Sequence, residues 1–184
     1  ATGEGTDTIA GITIVIGSHH DDELVGNSAG NHLVGRGGID TLLGAAGDDR
    51  LYGGHGHDLI RGGDGADWIS GDDGHDALYG GDGHDGIDAG RGADTIFAGP
   101  GDDLAYAGDY LDPVSILEPN RVVGGPGDDT LTGSNADDVI AGDDGHDRLY
   151  GLGGDDRLDG GDGTDVLDGG PDDDECVSGG LFES

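Results

Sequence analysis

An aspartate returns at every ninth position for most of this chain. It stands at Asp22, Asp40, Asp49, Asp58, Asp67, Asp76, Asp85, Asp94 and Asp103, and again at Asp129, Asp138, Asp147, Asp156, Asp165 and Asp174. Asn31 fills the one other slot, which keeps an oxygen and loses the charge. Carboxylates can work as acid and base pairs, as ligands for a cation, or as plain turn formers. The residues around them decide which.

Those residues repeat too. Gly53 to Asp88 reads GGHGHDLIR, GGDGADWIS, GDDGHDALY and GGDGHDGID, four nonapeptides without a gap, each with Gly first, Gly fourth, Asp sixth and Leu or Ile eighth. Ten such units run from Gly17 to Tyr106 and six more from Gly124 to Val177. The eighth position carries Leu24, Leu33, Leu42, Leu51, Ile60, Ile69, Leu78, Ile87, Ile96 and Ala105, then Leu131, Ile140, Leu149, Leu158, Leu167 and Cys176. A fixed period of this kind is an architecture. The pattern G-G-x-G-x-D-x-U-x, with U aliphatic, closely resembles the RTX, or haemolysin-type, calcium-binding nonapeptide repeat.

The resemblance implies an all-β fold, a right-handed parallel β-roll (a β-solenoid) with calcium ions in the turns between coils. Positions seven to nine form a short strand with position eight inward, since successive side chains alternate faces. Positions one to six form the turn, where glycine admits left-handed backbone angles. Two nonapeptides make one coil, so odd and even repeats build opposite sheets and their aliphatics meet in a thin core. Pro100, Pro126 and Pro171 all fall on position three, a turn position where no ladder bond is expected to be lost. One buried aliphatic per nine residues falls short of the cost of ordering them, so a further source of stability is required. In the family that source is calcium.

The implied shell combines carbonyls of positions two and four and the Asp of one turn with carbonyls of positions one and three and the Asp one coil later. For one site these are Gly54, Gly56 and Asp58 with Gly71, Asp73 and Asp76. On the same pattern the backbone ligands include Gly47, Gly62, Gly63, Asp64, Gly65, Gly74, Gly80, Gly81, Asp82, Gly83, Gly142, Asp144, Gly145, Gly160 and Asp162. About ten to twelve calcium ions are expected, roughly eight in the first block and four in the second. His20 and Ala29 replace the fourth-position glycine, so the sites of those turns should be weak or empty.

Composition narrows the function. The chain has 184 residues, 44 of them glycine, and 41 acidic residues against 7 arginines, for a formal charge of −34. Such a surface excludes nucleic-acid binding and repels an anionic membrane. Without a ligand the chain should be disordered. No stretch reaches transmembrane length. Cys176 is the one cysteine and falls on the inward position eight, a small apolar filler. No signal peptide is visible at the N-terminus, so a mature form, an excised fragment and export by a C-terminal signal all stay open.

In order, residues 1–16 form a cap or a degenerate coil. Asp7 reads as a sixth-position residue, and the apolar run 11–16 as a strand covering the end of the core. The first block spans 17–106 and the second 124–177, with a tail at 178–184. Between them, 107–123 reads as about one coil with poor turns, Asp112 and Asn120 in the sixth slots and Val114 and Val122 in the eighth. Asp112–Pro113 matches the bond cut by self-cleaving modules of some RTX proteins, but a distorted turn explains the proline more simply.

Other constellations are weaker. His57, His75, His84 and His146 stand at position five, and His57 and His75, one coil apart, could stack and hold zinc or copper. An outward, solvated placement explains them better. Outward apolar residues, including Leu43, Leu59, Tyr79 and Phe97 on one sheet and Tyr52, Trp68 and Leu104 on the other, could bind a polysaccharide or a neighbouring domain. No catalytic constellation is present, and ice binding is rejected because positions three and five lack regular Thr and Asn. The expected protein is a secreted, extracellular, bacterial calcium-binding module without enzymatic activity, with a carbohydrate-binding or adhesive module as the alternative.

Overall fold

A short strand, a glycine turn and a second short strand repeat along the chain until the two sets of strands close into a parallel β-solenoid. The computed structural model describes residues 6–8, 13–108 and 118–178. One sheet has ten strands: Thr6–Thr8, Glu23–Val25, Thr41–Ala46, Leu59–Asp64, Ala77–Asp82, Thr95–Phe97, Arg121–Val123, Val139–Ala141, Arg157–Asp159 and Glu175–Val177. The other has nine: Ile14–Ile16, His32–Gly37, Arg50–His55, Trp68–Asp73, Gly86–Asp88, Leu104–Tyr106, Thr130–Thr132, Arg148–Tyr150 and Val166–Asp168. Every neighbour is parallel, and Ile60 faces Leu78 as Leu51 faces Ile69, a step of two nonapeptides. Position eight is the core, fully buried from Leu33 through Leu158.

The strands run further than the aliphatic pattern indicates. In the six from His32 to Asp82 the ladder continues into the turn, pairing Gly54 with Asp72 and His55 with Asp73. Position three therefore does donate a ladder bond: the Arg91 N–H reaches the Asp72 carbonyl at 2.7 Å, and Asp162 reaches Asp143 at 2.7 Å. This corrects the expectation that proline at position three loses nothing. Pro100 and Pro126, without an N–H, cannot make that bond. Their carbonyls still accept, from Gly83 and Gly101 respectively at 2.8 Å.

The interruption contributes half a coil, where one full coil was expected. Arg121–Val123 pairs directly with Thr95–Phe97 below and Val139–Ala141 above, and Leu104–Tyr106 pairs directly with Thr130–Thr132. Asn120 and Val122 thus continue the sixth and eighth columns, both buried. The Asp94 N–H reaches Asn120 Oδ1, and the Asp103 N–H reaches Asp129 Oδ1, across 26 residues where the remaining steps of the two columns span 18, so eight residues are extra to the stack. Asp112 and Val114 lie outside the described residues. Glu118, at the edge of the insertion, approaches His75 Nδ1 at 3.3 Å.

At the N-terminal end, Ile14–Ile16 is an edge strand of the nine-stranded sheet with Val15 packed against the core, the degenerate coil of the two expected readings. Thr6–Thr8 pairs with Glu23–Val25, which sets Asp7 opposite Leu24 and outside the sixth-position column. Cys176 does pair in register with Leu158, but in this last strand of the sheet it is exposed.

Candidate metal centre

Nearly every regular turn is shaped by two residues in the left-handed region, the turn of Asp72 and Gly74 by Asp72 alone. Positions two and four hold φ values such as 108° and 142° at Gly54 and Gly56, or 120° and 134° at Gly63 and Gly65. These angles bring consecutive turns into close stacking. A methyl group on Gly56 would overlap the Gly38 carbonyl, and one on Gly74 the Gly56 carbonyl, so the fourth position has room only for glycine there. Non-glycine residues reach the same region at position two: Arg36, Ala45, Asp72, Asp143 and Leu152.

The sixth-position side chains form two columns. Asp22, Asp40, Asp58, Asp76, Asp94, Asn120, Asp138, Asp156 and Asp174 stack on one side. Asn31, Asp49, Asp67, Asp85, Asp103, Asp129, Asp147 and Asp165 stack on the other. In each step the upper residue's Oδ1 accepts the backbone N–H of the one below, at 2.8 Å for Asp58 to Asp76. The second oxygen has a different fate. Oδ2 is buried without any hydrogen-bond partner in Asp40, Asp49, Asp58, Asp67, Asp76, Asp85, Asp94, Asp103, Asp129, Asp147, Asp156 and Asp165. A buried anionic oxygen with no donor is strongly unfavourable unless a cation answers it.

Burial sets the electrostatics. Loss of solvation, partly offset by the N–H from the turn below, pushes Asp76 up to about 8 and Asp85, Asp94 and Asp129 to about 7. Asp40, Asp49, Asp103 and Asp156 rise to about 6 for the same reason. Neighbouring carboxylates in the column add repulsion, as Asp94 and Asp58 do at Asp76. A divalent cation between the turns reverses both effects.

The stacking brings two of the oxygens expected of one site close together. A point beside Gly53 is flanked by Asp58 Oδ2 and by the Gly71 carbonyl, the latter at 2.9 Å. The position-three carbonyl of Asp73 lies over the same turn, accepting the Gly56 N–H at 2.9 Å. Among the described residues no three His, Cys, Asp or Glu side chains converge on one point. A pair of turns offers two carboxylates, and backbone carbonyls must complete the shell. That donor set, all oxygen and rich in carbonyls, fits calcium.

Three turns are built differently. In 17–22, 26–31 and 133–138 no residue has positive φ, and the fourth-position residues are His20, Ala29 and Ala136. The Ser134 N–H and Oγ take Asp138 Oδ2 at 2.5 and 2.9 Å, and Ser18 takes Asp22 Oδ2 at 2.6 and 3.0 Å. The Asn27 N–H meets Asn31 Oδ1 at 2.7 Å, which leaves Asn31 Nδ2 as a buried donor. The sequence flagged the first two turns through His20 and Ala29 and missed the third. The available signal was Ser or Asn at position two together with a side chain at position four.

Position five also has a structural task. His57 Nδ1 accepts the His75 N–H at 2.7 Å, and His75 Nδ1 accepts the Ala93 N–H at 2.8 Å. The two rings stack at 4.8 Å. Asp48 does the same for Ala66, and Asp128 for His146. With Nδ1 engaged, these histidines act as outward inter-coil acceptors.

A parallel solenoid with two columns of buried carboxylates and stacked glycine turns is a cation-binding repeat protein. Its particular kind follows from comparison with known proteins: the family model of the RTX calcium-binding nonapeptide repeat (four copies) matches residues 25–60, 52–87, 87–109, 119–149 and 141–176. The chain belongs to that family. A search of curated proteins finds no match.

Proposed function

We propose that this chain is a calcium-triggered structural module of a secreted bacterial protein, unfolded in a low-calcium cytosol, folded outside the cell, and assisting export by that difference. It has no catalytic role in this reading. The observation that carries it is the set of twelve buried, partnerless aspartate oxygens. They make the metal-free fold costly and the calcium-loaded fold favourable, which is the property a trigger needs.

Recognition of a polysaccharide or a neighbouring domain through the outer sheet faces is the lesser reading. Tyr79 is covered by Arg61 at 4.9 Å from one strand and by Phe97 at 5.2 Å from the next, which leaves little open ring face for a sugar. The calcium requirement tests the main reading. A titration followed by intrinsic fluorescence should show folding with a midpoint of about 10⁻⁴–10⁻³ M, the range of extracellular modules. A submicromolar midpoint would mean folding inside the cell and would defeat the trigger.

A further inference from the structure

We propose that turns 17–22, 26–31 and 133–138 carry no calcium of their own, because a hydrogen-bonded staple takes the place of the ion. The inference rests on the calcium reading above and deepens it. All three turns share two bonds. The position-two side-chain oxygen accepts the position-four N–H: Ser18 from His20 at 3.2 Å, Asn27 from Ala29 at 3.0 Å, and Ser134 from Ala136 at 3.2 Å. The position-two N–H then donates to the side-chain oxygen at position six, in Asp22, Asn31 and Asp138. In the regular turns that oxygen is buried and unpaired in Asp40, Asp58 and nine more sites with a turn above them.

The staple and the ion exclude each other for a geometric reason. Left-handed φ marks position two of the regular turns, and position four of all of them but that of Gly74, while none of the six residues at those positions here adopts it. Ser134 is further engaged from below, accepting Asn120 Nδ2 at 3.2 Å while its hydroxyl donates to Asp138. Asn120 itself lacks the charge of its column. The Asn120–Asp138 and Asp138–Asp156 steps are therefore bound by hydrogen bonds alone. Calcium occupies one unbroken column, from Asp49 to Asp165, and one column split between Asp40–Asn120 and Asp156–Asp174. At the N-terminal end the first two turns are likewise independent of metal.

Native mass spectrometry of the full chain in saturating calcium tests this by ion count. Ser134→Gly with Ala136→Gly restores the regular turn sequence and should bind at least one calcium more than the parent chain. Asp138→Asn, which keeps the size of the side chain, should leave the count unchanged, while Asp129→Asn in the unbroken column should lose calcium. A count in the glycine variant equal to the parent's, or a loss in Asp138→Asn matching that of Asp129→Asn, overturns the proposal. If the parent chain binds no calcium, the family-based reading falls and this inference falls with it.

Discussion

Within the sixth-position aspartates of the regular turns the two oxygens do different work. Oδ1 ties one turn to the turn below through a backbone N–H, and Oδ2, as in Asp58 and Asp76, waits in a buried site without a donor. The second oxygen makes the metal-free fold sensitive to pH. The buried carboxyls of Asp76, Asp85, Asp94 and Asp129 rise to about 7 or 8 from an ordinary 3.8 in the unfolded chain. The folded metal-free state then holds more protons than the unfolded state, and its stability falls as pH rises. That contribution is fully present below about 3.8 and is lost as pH passes through 6 to 8. In metal-free buffer the chain should gain β-structure near pH 4 and lose it toward pH 8, as read by far-ultraviolet circular dichroism. Calcium reverses the slope because it binds the deprotonated form. Identical metal-free spectra at pH 4 and pH 8 would show that these carboxyls do not oppose the fold.

At the scale of the element, the turn is the unit that selects glycine. Gly56 has φ 142° and no space for a methyl group against the Gly38 carbonyl, whereas a methyl on Gly37 meets nothing closer than 3.6 Å. Gly56→Ala should destabilise the calcium-bound chain by about 1–2 kcal/mol or more and raise the calcium midpoint for folding. Gly37→Ala should stay within about 0.5 kcal/mol of the parent. Equal effects in denaturant melts would contradict the stacking. Much of this was legible in the sequence, since a period of nine with Asp sixth and an aliphatic eighth fixes which side chains enter the columns and the core. The interruption was not. Asp112 and Val114 imitate the register, and only the pairing of Arg121–Val123 with strands on both sides shows that half a coil joins the stack. The ladder bond at position three was equally hidden, because the aliphatic pattern marks only positions seven to nine.

For the whole molecule, charge and stacking act together. The formal charge is −34, and the eleven turn pairs with an unpaired lower oxygen would bring it to about −12 when filled by divalent ions. Each interior aspartate faces the turn below and the turn above, so filling one site orders half of the next, and folding should be cooperative in calcium. The aliphatic column is one residue wide and cannot hold the coils alone. Magnesium is a poor substitute, since it demands a tight octahedron and gives up water reluctantly. The most direct measurement is far-ultraviolet circular dichroism of the chain at pH 7.5 in EGTA, then in millimolar calcium, with millimolar magnesium as the control. The expected result is a disordered spectrum in EGTA, a β-rich one in calcium, and no comparable change in magnesium. A β-rich spectrum already present in EGTA, or one that magnesium produces equally well, would contradict the account.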